Sequence, residues 1–107
     1  MHAGRTMYIW HMQDSKDRDA FYQRLHEELS NSQLWPAVYL YKFIVPTEGD
    51  GIVRLNNVFN GMGAIIQTKE SSNKKYTSFS IKATMTDPTA VIDKYKEVSD
   101  IPNIVSL

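Results

Sequence analysis

The chain has 107 residues, which suits one domain with a core of its own. It has no cysteine, which excludes disulfides, thiolate nucleophiles and sulfur-rich metal sites and favours a cytoplasmic protein. Its 12 basic and 12 acidic side chains cancel, so no overall field attracts it to nucleic acid or anionic lipid, and no apolar run approaches the ~20 residues of a membrane span.

The N-terminal third divides into an irregular start and one helix. Residues 1–16 lack periodicity, and we expect them to be disordered or an over-long start. From Asp17 to Ser30, apolar side chains recur every four positions, at Phe21, Leu25 and Leu29, which predicts an amphipathic helix. We therefore assign residues 17–33 to this helix and its exit, and residues 34–107 to the main domain.

A β-rich run from Ala37 to Val45 predicts the first strand, which follows Pro36 because proline has no N–H for a sheet interior. Successive side chains of a strand point to opposite faces. One face carries Tyr39, Tyr41, Phe43 and Val45, and the other carries Val38, Leu40, Lys42 and Ile44. Because Lys42 lies on the second face, we predict that the second face is open.

The middle of the chain predicts a helix and a hairpin. Apolar residues spaced three or four apart from Ile52 to Met62 indicate a helix, with Asp50 as its N-cap. Ala64 to Lys69 is predicted to be a short strand. It pairs antiparallel with Tyr76 to Met85, whose strict alternation is typical of a central strand covered on one side only.

The C-terminal part predicts a second helix and a last strand. Thr86-Asp87-Pro88 resembles a helix start, and Val91 to Val98 carries the apolar spacing of a helix. Asn103 to Leu107 is predicted to be the final strand. The order from residue 34 onward is therefore β-α-β-β-α-β.

This order predicts an α+β, ferredoxin-like sandwich: a four-stranded antiparallel sheet, two helices on one face, and the extra N-terminal helix ahead of them. Strands one and three are expected at the centre and strands two and four at the edges. The predicted core consists of Phe43, Phe59, Phe79, Ile81, Val91 and Tyr95.

Several collinear features span Leu34 to Leu107. They are Trp35-Pro36, Tyr41-Lys42-Phe43, the hairpin 71–78 followed by Phe79-Ser80-Ile81, and the ending with Val91-Ile92, Tyr95 and Val105-Ser106-Leu107. Together they resemble the YbeD-like family of small bacterial proteins, whose function is uncharacterised. The resemblance implies a ferredoxin-like fold similar to ACT regulatory domains. Lys74 departs from the pattern, which has a glycine in the hairpin.

Catalytic chemistry has few candidates. His2, His11 and His26 lack the spacing of a metal site, and His26 is expected to be a solvated surface residue. No nucleophile elbow, phosphate-binding loop or dinucleotide fingerprint occurs. We therefore expect a protein that is not an enzyme, with no cofactor and no metal.

The first candidate site is the turn that precedes the first helix of the main domain. Glu48, Gly49, Asp50 and Gly51 stand where free backbone N–H groups could hold a polar effector, as ACT-type domains do near this turn. The acidic residues favour a ligand with an ammonium group over a phosphate. The alternative is a plain strand-to-helix turn.

The second candidate site is the open face of the sheet. Its predicted members are Leu40, Lys42, Ile44, Tyr76 and Lys82. This face is more apolar than a solvated face needs to be, so a second copy of the domain, another protein or the N-terminal helix should cover it. We expect that helix to pack near strand one, with Trp35 filling the hinge, and to cover part of the face.

An RNA-binding module is the alternative function, because RNA-recognition domains share this topology and Lys69, Lys74 and Lys75 add charge near the hairpin. The sequence argues against it, since Phe79 has the opposite parity from Tyr76 and the required aromatic pair is missing. We therefore interpret the chain as an ACT-like regulatory, ligand-sensing or adaptor module.

Overall fold

The computed structural model describes residues 15–107. This part is an α+β arrangement of three helices and a four-stranded antiparallel sheet. The elements in chain order are α1 (Ser15–Ser32), β1 (Ala37–Pro46), α2 (Gly51–Val58), β2 (Ile65–Glu70), β3 (Tyr76–Met85), α3 (Pro88–Val98) and β4 (Val105–Ser106). The expectations for residues 1–14 lie outside the described residues.

The strand order in the sheet is β2-β3-β1-β4, so β1 and β3 are central and β2 and β4 are edges, as the sequence predicts. The β1–β3 ladder runs from Ala37 opposite Met85 to Pro46 opposite Tyr76. Alternation in β3 therefore decides the parity of the whole sheet, because its neighbours on both sides are in register with it.

The inner face of the sheet and the helices enclose one apolar core. Its six predicted members, Phe43, Phe59, Phe79, Ile81, Val91 and Tyr95, are all buried. Tyr41 joins them, with its ring centroid 5.0 Å from that of Phe59 and 5.1 Å from that of Tyr95. Offset and edge-to-face aromatic contacts of this kind add to the free energy gained by burial.

The start of α3 follows the sequence signature closely. The Asp87 carboxylate accepts a hydrogen bond of 2.8 Å from the backbone N–H of Ala90, and Pro88 occupies the first turn. The cap satisfies one of the otherwise unpaired N–H groups of the helix. Asp50 also stands at the predicted N-cap of α2, but its side chain makes no capping hydrogen bond.

Two predicted elements are shorter than expected. The α2 helix ends at Val58 rather than near Met62, because the chain tightens into a turn in which Asn60 N–H donates to Asn57 O and Gly61 has a φ of 77°. The last strand begins at Val105 rather than Asn103, since Asn103 has a φ of 60°, which is incompatible with a strand.

The prediction that the N-terminal helix lies near strand one and covers the open face is wrong. The α1 helix packs against α3, on the side of the sheet that carries the helices. Its buried side chains are Tyr22, Leu25 and Leu29, so Tyr22 replaces the predicted Phe21, which is only partly buried. Trp35 does secure the hinge, because its indole N–H donates to Leu29 O at 3.0 Å.

The reason for this docking is that α3 is apolar on two sides. Besides the residues that face the sheet, α3 buries Ile92, which lies at the edge of the stripe formed by Val91, Tyr95 and Val98. The Lys96 Nζ lies 5.4 Å from the centroid of the Tyr22 ring, which adds a cation–π contact between α1 and α3. Within residues 15–107, no helix has the length and hydropathy needed to cross a membrane.

Candidate functional site

The structure brings the five predicted members of the open face together. Leu40 pairs with Lys82 across the β1–β3 ladder, and Lys82 pairs with Ile65 of β2 on its other side. Lys42 and Ile44 follow on β1, opposite Ser80 and Ser78. Tyr76 stands opposite Pro46 at the hairpin end of the same face. All five side chains are therefore on the face that the alternation in the sequence predicts.

Large apolar side chains on this face remain accessible. The exposed fraction is 62% for Val38, 45% for Leu40, 63% for Ile65 and 49% for Tyr76. On the inner face of the same strands, Tyr41, Phe43 and Ile81 have no or almost no exposure. Within residues 15–107, the helices therefore cover one side of the sheet, and the other side has an apolar strip around Val38, Leu40 and Ile65.

The charged side chains at the outward strand positions of residues 15–107 are all basic. The outward positions of the four strands include three lysines, Lys42 on β1, Lys69 on β2 and Lys82 on β3, and in residues 15–107 none of these positions holds Asp or Glu. Glu70 lies at the end of β2, but it is opposite Thr77 and so belongs to the inner parity. The face therefore combines aliphatic surface with positive charge.

A groove of about 470 Å³ lies at the hairpin end of the face. Its lining residues are Ile44, Lys69, Glu70, Ser71, Ser72, Tyr76 and Ser78. The groove combines an apolar floor with hydroxyl groups and one side chain of each charge. Sequence reasoning missed it, because it forms only where the β2–β3 hairpin meets the end of β1.

The hairpin itself is tightly organised. The Asn73 side-chain oxygen accepts hydrogen bonds from Ser71 Oγ at 2.7 Å and from Lys75 N–H at 3.0 Å. Lys74 adopts a left-handed backbone with a φ of 61°. The geometry that a glycine would permit is therefore present with lysine, and the Asn73 hydrogen bonds help to hold it.

The predicted effector turn has the geometry of a strand-to-helix connection. Gly49 has a φ of 93°, which favours glycine. Gly51 is buried, and a Cβ there would lie 3.4 Å from Val45 Cβ and from Ile101 Cγ2, so its small size serves packing. Glu48 and Asp50 are exposed. Both glycines are thus explained without a ligand.

The effector turn and the hairpin lie at the same end of the sheet. Thr47 N–H donates to Lys75 O at 2.8 Å, and the hydroxyl groups of Thr47 and Thr77 are 2.8 Å apart. A depression of about 410 Å³ lies between the two segments and is lined by Pro46, Glu48, Asn73, Lys74, Lys75 and Tyr76. Glu48 therefore faces hairpin lysines, which weakens the preference for a cationic ligand inferred from the turn alone.

The pair of aromatic side chains needed to stack nucleotide bases is missing from the outward positions of the described strands. Phe79 is 1% exposed and lies in the core, opposite Phe43. Tyr76 is outward but stands at the hairpin end, away from the apolar strip. The lysine positions predicted for an RNA face are correct, but Val38, Leu40 and Ile65 occupy the surface where bases would stack.

A second groove, of about 510 Å³, separates α1 from α3. It is lined by Asp19, Tyr22, Gln23, His26, Thr89, Ile92, Asp93 and Lys96. His26 Nε2 lies 3.1 Å from Thr89 Oγ1, so the half-buried His26 links the two helices at the surface of the protein. No local sequence pattern indicates this groove, because it depends on how α1 docks.

Tyrosine hydroxyl groups make polar contacts between the sheet and α3. Tyr41 donates a hydrogen bond of 3.2 Å to Val91 O, and the hydroxyl groups of Tyr39 and Tyr95 are 2.8 Å apart. Burial raises the pKa of Tyr41 and of Tyr95 well above the usual value, and the neighbouring Tyr39 adds to both increases. These phenols are therefore neutral and bind the sheet to α3.

Comparison with known proteins gives no relative: no protein-family model, no curated protein and no solved structure matches this chain.

Proposed function

We propose that this chain is a non-enzymatic binding module that acts as an ACT-like regulatory or adaptor domain through the open face of its sheet. The single observation that carries the proposal is the exposure of Val38, Leu40 and Ile65 beside lysines, on a sheet whose other face buries Tyr41, Phe43 and Ile81. A partner that covered this strip would gain about 25 cal/mol for each Å² of apolar surface removed from water.

The proposal includes a ferredoxin-like βαββαβ fold preceded by α1, and membership of the YbeD-like family. The strand order β2-β3-β1-β4 and the placement of α2 and α3 on one side of the sheet support the fold. The left-handed Lys74 supports the family resemblance, because the hairpin keeps the backbone geometry for which a glycine was expected.

Selection from a random peptide library tests whether the open face is the surface that binds a partner. Peptides captured on the full chain should lose binding to a Leu40→Ser variant and keep it on a Val53→Ser variant. Val53 is the matched control, because it is 61% exposed and apolar but lies on α2. If the captured peptides bind all three proteins equally, the open face is not the binding surface.

The same proposal includes a ligand-sensing role, in which the domain binds a small-molecule effector. The depression between Glu48 and the hairpin lysines could hold a zwitterion such as an amino acid, since both charges are present. A thermal-shift screen of amino acids and other metabolites should then find a ligand whose stabilisation disappears in Glu48→Gln. A screen in which every metabolite stabilises both proteins equally would count against this role.

RNA binding is the second candidate, and one observation favours it: the charged outward positions of the described strands are lysines only. An RNA-binding module would shift labelled single-stranded RNA and elute from heparin at a salt concentration that falls in Lys42→Gln and Lys82→Gln. Under the protein-binding proposal, any retention by heparin or RNA comes from the lysines alone and is unchanged in Leu40→Ser. Retention that depended on Leu40 and on RNA sequence would favour RNA over a protein partner.

A further inference from the structure

The chemistry of the open face specifies the kind of partner, on the premise that the face is the binding surface proposed above. We propose that its occupant is an amphipathic α-helix whose apolar stripe is flanked by Asp and Glu residues. The charge pattern and the dimensions of the face favour this partner, and other occupants fail to match both.

Lysines lie both within and beside the apolar strip. Lys82 lies directly between Leu40 and Ile65, and Lys42 is its diagonal neighbour on β1, at a distance of about 7–8 Å between Cα atoms. Their aliphatic stems extend the apolar surface, and their ammonium groups can reach outward to carboxylates on a partner. Glu48 and Glu70 both lie at the hairpin end of the sheet, so the acidic flank should lie over Lys42 and Lys82.

The dimensions of the face suit one helix. The outward positions from Val38 to Pro46 span eight residue steps, which is about 27 Å, the length of a helix of about 18 residues. Four strands at their usual spacing are about 14 Å wide, close to the 10–12 Å diameter of a helix with its side chains. One helix along the strands would therefore cover the strip around Val38, Leu40 and Ile65.

An added strand does not meet the requirement. The free edge of β2 could pair with an extended peptide, but a strand at this edge would extend the sheet sideways and leave Val38 and Leu40 exposed. Only an element that lies on the face can bury the strip.

A second copy of the same face and an RNA strand are also poor occupants. Two copies packed face to face would bring lysines together with no carboxylate at an outward strand position of residues 15–107, and buried charges without a partner are costly. An RNA strand would satisfy the lysines but place its polar backbone or bases against aliphatic side chains. An acidic amphipathic helix satisfies both groups.

Defined peptides test the proposal on the full chain. Three fluorescein-labelled 18-residue peptides are compared by anisotropy: a helix-forming peptide with a leucine stripe flanked by Glu, the same peptide with Lys in place of Glu, and a scrambled Glu peptide with no stripe. We expect the Glu-flanked helix to bind at least about tenfold more tightly than either of the others, and its affinity to fall as salt is added.

Variants assign the preference to the face. The double variant Lys42→Glu and Lys82→Glu should bind the Lys-flanked peptide more tightly than the Glu-flanked one, whereas Arg24→Glu, an exposed charge change on α1, should keep the original preference. If the double variant does not fold, as judged by its melting curve, the pair Lys42→Gln and Lys82→Gln replaces it and should abolish the tenfold difference.

The outcomes separate this inference from the proposed function. Binding that requires Leu40 but ignores the flanking charge would overturn the acidic helix and keep the face as a binding surface. Tighter Leu40-dependent binding to single-stranded RNA, to anionic lipid vesicles or to a second copy would also overturn it. No Leu40-dependent binding by any of these probes would contradict both proposals.

Discussion

Lys74 has a left-handed backbone conformation, with a φ of 61°. This conformation costs free energy in any residue that has a Cβ atom. Lys74→Gly should therefore raise the free energy of unfolding by about 0.5–1 kcal/mol. Lys75→Gly is the neighbouring control: Lys75 lacks a positive φ, so added chain entropy should lower stability by a similar amount. Urea unfolding of the two variants should give changes of opposite sign, and equal changes would contradict the hairpin geometry.

Phe79 and Ser80 test the parity of β3 directly. Phe79 is 1% exposed, so Phe79→Ala should cost about 3–5 kcal/mol, a large share of the stability of a small domain. Ser80 lies on the opposite face beside Lys42, and Ser80→Ala should change stability by less than about 0.5 kcal/mol. Equal melting temperatures for the two variants would show that the parity assignment is wrong.

The raised pKa of the buried tyrosines predicts a loss of stability in alkali. Below about pH 10 the phenols are protonated in both states, so their contribution is complete. Above this pH the unfolded chain releases protons that Tyr41 and Tyr95 retain when folded, and the free energy of unfolding must fall. Urea unfolding across this range should show the fall, and it should be shallower in Tyr41→Phe than in Tyr76→Phe, whose side chain is exposed.

At the scale of elements, the packing of α1 against α3 is the contact that sequence reasoning placed wrongly. Leu25 is buried in this contact, so Leu25→Ala should cost about 2–4 kcal/mol, whereas Arg24→Ala, its exposed neighbour, should cost little. Thermal unfolding measures both. Removing residues 1–31 should lower stability further, and an equally stable truncated domain would show that α1 is an independent appendage.

The elements and their faces were predictable because they depend on local spacing. The alternation of Tyr76–Met85 and the single lysine on β1 were enough to assign both faces of the sheet. The docking of α1 was not predictable, since it depends on which apolar surface remains after the helices cover the sheet. Ile92 supplies the apolar surface of α3 against which α1 packs. The spacing of apolar residues in α3 places Ile92 only at the edge of the stripe that faces the sheet.

At the scale of the whole molecule, the two candidate sites were predictable to different degrees. The open face follows from parity, so all five of its predicted members share one surface. The grooves at the hairpin end and between α1 and α3 arise from contacts between segments distant in the chain, which no local pattern reports. The glycines of the 49–51 turn illustrate the reverse case, in which a suggestive motif is explained by backbone conformation and close packing.

The central claim is that the open face is the surface through which the domain acts. Backbone amide NMR shifts of the full chain, recorded during titration with the Glu-flanked helix peptide, test it residue by residue. We expect the largest changes on β1 and β3 around Leu40, Lys42 and Lys82, and no response in the α1–α3 groove around His26 and Thr89. Changes concentrated in that groove or in the turn 48–51, with β1 unaffected, would contradict it.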